Sequence, residues 1–184
     1  MITIIITGPS GSGKTALSTK LFEIFNDSIL IKTDSYYIDN LLIRLLSVFI
    51  YDIYDRLISI KKKELINNLE SIYTKETKIS FLNYNFKRKK SLQSPKQIKY
   101  KGDNQFLIVE GIFSHRLNIN YQDTINIVCK EKKEICYERR LKRDILIRGR
   151  SKQEVNNKFT RSWYLFYKNI QSFLNNNKII EINP

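Results

Sequence analysis

The chain has 184 residues, 42% of them hydrophobic, and a formal net charge of +14. That length suits one domain with a sizeable core, and that composition excludes an intrinsically disordered chain. The excess charge suits a polyanion such as nucleic acid, anionic membrane or a phosphorylated small molecule, or else it is a compositional lysine bias that leaves a solvated basic surface.

Residues 2–7 are a short apolar, β-branched run, the pattern of a buried parallel strand. They lead into Gly8-Pro9-Ser10-Gly11-Ser12-Gly13-Lys14-Thr15, which fits G-x-x-x-x-G-K-[ST] at every position. Glycines there let successive backbone N–H groups approach phosphate oxygens, and the helix that follows adds its positive end. Lys14 would reach the β- and γ-phosphates of a nucleotide, and the Thr15 hydroxyl would ligate Mg²⁺. The spacing of Ala16, Leu17, Leu21, Phe22 and Phe25 predicts a helix over 15–25.

A second strand is expected over 28–32, ending at Asp34 in "KTDSYY". In an open parallel sheet this places Asp34 at the carboxyl edge, beside the phosphate loop. One or two helices are expected over 41–69, and the basic, polar stretch 80–101 reads as irregular. Strands follow at 106–110 ("FLIVE") and 124–128, a charged helix over 131–147, a polar break at 148–153, a helix over 154–175 and a last strand at 178–182. The alternation of strands and helices argues α/β architecture, an open parallel sheet flanked by helices. No linker divides the chain, and 1–184 reads as one domain.

The class of phosphate-loop protein is narrowed by what is missing. No Asn-Lys-x-Asp guanine reader appears, and helicases and motors need a longer chain. Small-molecule kinases fit the size; they need a carboxylate near the acceptor hydroxyl and arginines over the phosphates. Asp34 supplies the former, or else is a helix-cap or turn aspartate, and Glu110, at the end of "FLIVE", can orient water around Mg²⁺ or is a plain strand-end carboxylate. "RRLKRDILIRGRS" supplies the latter, with Arg140, Arg143 and Arg148 spaced to share a helix face and Gly149 as a hinge before Arg150. Cys129 and Cys136 are too few, with one histidine, for a zinc site and read as buried free thiols. His115 reads as a surface or pocket-wall residue. Trp163, Tyr164, Phe166 and Tyr167 read as core or subunit interface. No signal peptide is visible, and the apolar stretch 41–50 is too short to span a bilayer, so a cytoplasmic location without membrane contact is expected.

Together "GPSGSGKT", "KTDSYY", "FLIVEGIF" and "RRLKRDILIRGRS" resemble the uridine–cytidine kinases, within the wider uridine kinase and phosphoribulokinase group of P-loop kinases. The resemblance implies transfer of phosphate from ATP or GTP, with Mg²⁺, to the 5′-hydroxyl of a pyrimidine nucleoside. It implies that Asp34 accepts the hydroxyl proton and shares Mg²⁺ with Thr15 and Glu110. "RRLKRDILIRGRS" is similar to the family's arginine-rich lid: Arg143, Arg148 and Arg150 match lid arginines that hold the donor phosphates, Arg140 one that reaches the acceptor ribose, and Tyr37 an aromatic of the acceptor pocket. In "YDIYD", Tyr51 and Asp52 stand where the family binds ribose hydroxyls, without the family's His-Pro. In "YNFKRKKS", Tyr84 and Phe86 match, and Lys89 stands where the family has a base-reading histidine. A lysine only donates, whereas a neutral imidazole can also accept. This substitution leaves a second acceptor class open, a sugar phosphate or a vitamin precursor. Homo-oligomers occur in the family, so assembly of identical chains is an expectation; a nucleic-acid-binding ATP sensor ranks last, because no RNA-binding motif accompanies the charge.

Overall fold

A computed structural model describes residues 1–50, 53–101, 105–119, 121, 123–176 and 178–184. In chain order its elements are β1 (Ile2–Thr7), α1 (Lys14–Ile24), β2 (Ser28–Lys32), α2 (Leu41–Phe49), α3 (Lys62–Tyr73), β3 (Lys78–Asn85), β4 (Lys90–Gln97), β5 (Phe106–Glu110), β6 (Thr124–Cys129), α4 (Lys133–Arg148), α5 (Lys152–Asn176) and β7 (Ile179–Ile182). Single 3₁₀ turns follow β2 (Thr33–Tyr36) and β5 (Ser114–Arg116), and two more link α2 to α3.

Five strands form a parallel sheet in the order β2-β5-β1-β6-β7. The apolar runs are buried on both faces, as parallel strands covered by helices must be. On one face Ile5, Leu107, Val109 and Val128 pack with Leu65, Leu69 and Ile72 of α3 and Phe166 and Ile170 of α5. On the other, Ile4, Ile6, Ile108 and Ile127 meet Leu17 and Leu21 of α1. Period-2 alternation along each strand therefore sends apolar side chains to two cores rather than to core and water.

The register sets the site. Ile6 pairs with Glu110 and Glu110 pairs with Lys32, so the carboxyl ends of β1, β5 and β2 lie in one row. The segments that leave those ends, beginning at Thr7, Gly111 and Thr33, emerge on the same edge. β1 lies between β5 and β6, where the strand order reverses, and the crevice of an open α/β sheet forms at such a point.

The expected elements recur with shifts of one or two residues at most boundaries, except in one place. The stretch expected to be irregular is an antiparallel hairpin, β3 with β4, in register from Lys78–Gln97 to Asn85–Lys90. Its β4 strand, "KSLQSPKQ", is exposed or half-buried along its length and shows no apolar alternation. The backbone ladder and the apolar side chains of β3 hold it. Its turn is closed by the Arg88 N–H donating to Asn85 Oδ1 at 2.9 Å, with Lys89 at φ +50°. α2 is apolar on most sides and leaves Leu41, Leu45, Val48 and Phe49 exposed. Among the described residues no helix is long and apolar enough to cross a membrane.

Cys129, at the end of β6, and Cys136, in α4, are buried free thiols. Burial pushes both thiols up to about 11. Native protein at pH 8 should therefore leave Ellman's reagent unreacted, and both thiols should react once denaturant is added; rapid labelling of the folded protein would contradict this packing.

Candidate active site

The phosphate loop bridges β1 and α1. Gly13 caps α1 in the left-handed region. At Gly11 φ is +92°, and a Cβ there would stand 2.2 Å from the Cys136 carbonyl oxygen, so the loop lies directly on the backbone of α4. Lys14 donates to the Pro9 carbonyl across the loop at 3.2 Å. The Thr15 hydroxyl donates to Glu110 Oε1 at 3.3 Å, which joins the loop to the end of β5. Glu110 is buried, and desolvation raises its carboxyl above the usual range; Lys14 works against that shift and the charge of Asp34 adds to it.

Asp34 lies in the 3₁₀ turn after β2 and accepts from the Tyr37 hydroxyl at 3.4 Å. Tyr37 is buried, and its ring meets Tyr54, Tyr84 and Phe86 edge-on at 5.5, 5.5 and 5.8 Å. Burial, with Asp34 and Asp55, holds the Tyr37 phenol well above its usual range, so it stays a donor. Hairpin β3–β4 delivers Tyr84 and Phe86 to this cluster, which links the surroundings of Asp34 to the segment that sequence reading took for irregular. Lys89 is exposed at the hairpin tip, where its carbonyl accepts from Arg44 at 2.5 Å. Tyr51 and Asp52 lie outside the described residues.

The arginines converge. Arg143 donates to Ser10 Oγ of the phosphate loop at 3.1 Å. Arg148 lies 3.9 Å over the Phe86 ring, and burial, followed by the charge of Arg143, lowers its guanidinium to about 10. Arg140 is buried; it donates to Ser162 Oγ at 2.6 Å and faces Asp55 at 3.7 Å. Desolvation raises the Asp55 carboxyl above its ordinary range, Arg140 opposing and Asp34 adding. Arg150 contacts Asp144 at 2.7 Å. Behind this cleft Lys158 pairs with Glu154 at 2.6 Å.

The structure thus brings Lys14, Thr15, Asp34, Glu110, Arg143 and Arg148 to one crevice, with Tyr37 and Tyr84 beside Asp34. Sequence reading overlooked Asp55, which stands in the quoted "YDIYD", and Asp144, which stands inside the quoted arginine run. The second had a visible signal: a carboxylate four residues from both Arg140 and Arg148 shares their helix face. His115 is a buried wall residue; its Nδ1 lies 2.9 Å from Thr7 Oγ1, just before the phosphate loop. Of the aromatics on α5, Phe166 is in the core and Tyr164 is exposed. A cavity of 630 Å³ between β2 and the hairpin, bounded by Lys32, Tyr36, Phe81 and Lys96, is separate from the phosphate loop.

The sequence profile of the Phosphoribulokinase / Uridine kinase family matches residues 3–181. The chain belongs to this family. As a member it is a phosphotransferase, a P-loop kinase whose acceptor is a hydroxyl group of a small molecule. Solved structures with the same fold include a putative fructose transport system kinase from a Silicibacter species, at 12% identity and TM-score 0.65, over 86% of this chain and 79% of that one. A possible uridine kinase from Bacillus stearothermophilus matches at 9% identity and TM-score 0.61, over 97% and 88%. D-glycerate 3-kinase from Cryptococcus neoformans matches at 14% identity and TM-score 0.58, over 91% and 78%. Identities this low speak to the fold alone. No curated protein matches the sequence significantly.

Two glycines separate conformation from contact. Gly149 has φ +66° with nothing within 4 Å of an added Cβ, so Gly149→Ala should cost only the left-handed penalty, about 1–2 kcal/mol. Gly11→Ala adds a clash with the α4 backbone and should melt at lower temperature and lose Mg·ATP binding in calorimetry. Equal effects of the two substitutions would contradict the seating of the loop on α4.

Proposed function

We propose that this kinase, acting through residues 1–184 as one P-loop kinase domain, transfers the γ-phosphoryl group of ATP or GTP to the 5′-hydroxyl of a pyrimidine nucleoside in the cytoplasm. The observation that carries the acceptor is the aromatic cluster of Tyr37, Tyr54, Tyr84 and Phe86 beside Asp34. A planar base can stack within such a cluster while its sugar hydroxyl meets the carboxylate. The buried free thiols suit a reducing compartment.

In this reading the loop from Gly8 to Thr15 cradles the donor phosphates through its backbone N–H groups, and Lys14 swings from the Pro9 carbonyl to the β- and γ-phosphates. Asp34 accepts the proton of the attacking hydroxyl. The Tyr37 hydroxyl, donating to Asp34, orients that carboxylate. Arg143, Arg148 and Arg150 bear on the phosphate oxygens, and Arg140 on the acceptor ribose. Tyr51 and Asp52 would lie at the ribose, and Tyr84 and Lys89 at the base.

The oxygen donors of Thr15, Asp34 and Glu110 fit a hard divalent cation, and the crowded Glu110 carboxyl is the observation that calls for one. Among the described residues no group of three or more acidic, histidine or cysteine ligands forms, which suits Mg²⁺ held partly by phosphate and water. Mg²⁺ bound there would neutralise charge on the transferring phosphates.

A second reading, a sugar phosphate as acceptor, is favoured by the cation of Arg148 over Phe86 in the aromatic cluster. Purified enzyme with Mg·ATP and Mg·GTP, offered uridine, cytidine, sugar phosphates and other alcohols, decides between them by acceptor-dependent ADP or GDP release. Uridine or cytidine should turn over fastest; a sugar phosphate turned over faster would reverse the order. Asp34→Asn should lower kcat at least about 100-fold with ATP affinity nearly kept. Unchanged kcat would remove Asp34 as the base.

A further inference from the structure

The lid arginines share one carboxylate. Asp144, near the end of α4, has no exposed surface. Its Oδ1 accepts from Nε and Nη2 of Arg143 at 2.9 Å and faces Nη1 of Arg148 at 3.4 Å. Its Oδ2 accepts from Nη1 of Arg150 at 2.7 Å and faces Nε of Arg140 at 3.7 Å. Its backbone carbonyl accepts the N–H groups of Gly149 and Arg150, so the same residue ends the helix and turns the chain back towards its own side chain.

We propose that Asp144 is the positioning residue of the lid: one buried carboxylate that holds Arg143, Arg148 and Arg150 as a fan facing the phosphate loop before the donor nucleotide arrives. The inference rests on reading this crevice as the donor phosphate site and is independent of the acceptor.

Three features carry it. First, Arg143 reaches the phosphate loop: it touches Asp144 and Ser10 with the same Nη2. Second, the fan is under-neutralised. Among the described residues Arg140, Arg143, Arg148, Arg150 and Lys158 face Asp55, Asp144 and Glu154, with the Asp34 charge also acting on Arg148, so the cations outnumber the carboxylates. Third, sharing leaves capacity. A guanidinium has five N–H groups, and Arg148 and Arg150 each direct one nitrogen at Asp144, so phosphate oxygens can be bound without breaking the fan. Burial alone would push the Asp144 carboxyl up, but Arg143, then Arg148, Arg150 and Arg140, draw it below its ordinary range; it stays charged near neutrality. Without that charge the guanidiniums would repel one another and splay. Misplacement of phosphate-stabilising groups by about 1 Å can cost on the order of 100-fold in rate.

The test is Asp144→Asn, which keeps shape and removes charge. Turnover is measured with whichever acceptor is active, or as γ-phosphoryl transfer to water if none is, and the Kd for Mg·ATP by calorimetry. Positioning predicts kcat lower by roughly 10–100-fold with Kd unchanged or tighter, because the lost charge is negative and lies near the phosphates. Two results would overturn it: ATP binding weakened in step with lower thermal stability, the mark of a merely structural carboxylate, or tighter ATP binding with undiminished kcat, the mark of a residue that only sequesters the arginines. If the variant does not fold, or no turnover is found, the wild-type protein decides. The Arg143 side-chain Nε–H should give a distinct, motionally restricted resonance in the nucleotide-free protein by ¹⁵N NMR and shift on adding Mg·ATP. A mobile, averaged signal would overturn the proposal.

Discussion

Much of this protein follows from what happens where β1 ends. From β1 the chain runs to β2 on one side of the sheet, and from its neighbour β6 it runs to β7 on the other, so the sheet opens there and leaves room above the strand end. The glycines of 8–13 let the backbone turn through that space and lie on α4. Register then brings Glu110 and the segment carrying Asp34 to the same edge. Fixing β1 in the middle of the sheet therefore fixes the donor site, because every neighbouring strand is aligned to it by backbone hydrogen bonds.

Charge is the second constraint. Arginines half-buried or buried at the mouth of the crevice would be costly if left to themselves. Asp144 makes the cluster tolerable while leaving it net positive, which is the condition for a crevice that attracts phosphate. Arg148 joins two parts of the fold: it pairs with Asp144 of α4 and stacks on Phe86 of the hairpin. The arginine segment and the hairpin thus share a contact beside the crevice.

The large basic charge finds part of its meaning here. Several arginines of the excess sit in the crevice with carboxylate partners, whereas Lys87 and Lys90 lie exposed around the hairpin turn. The first group is positioned by burial and ion pairing. The second is at the surface, where water screens it.

The sequence by itself determined the phosphate loop, the places of the sheet strands along the chain and the arginine segment. Each depends on short-range rules: glycine spacing, β-branched runs buried on both faces, and helical periodicity. It determined the family for the same reason, since those blocks stand in fixed order. Only the tertiary structure decided the hairpin, whose second strand has no apolar alternation and is recognised by its partner strand alone. Likewise it decided that Asp55 faces Arg140, that Phe86 lies under Arg148, and that one carboxylate gathers the arginines. Those pairings join segments tens of residues apart, or require the helix end at Gly149 to fold back. Beyond the four-residue spacing of Asp144 from Arg140 and Arg148, local pattern carries no record of such contacts, because they arise from long-range packing and from the search of buried charges for partners.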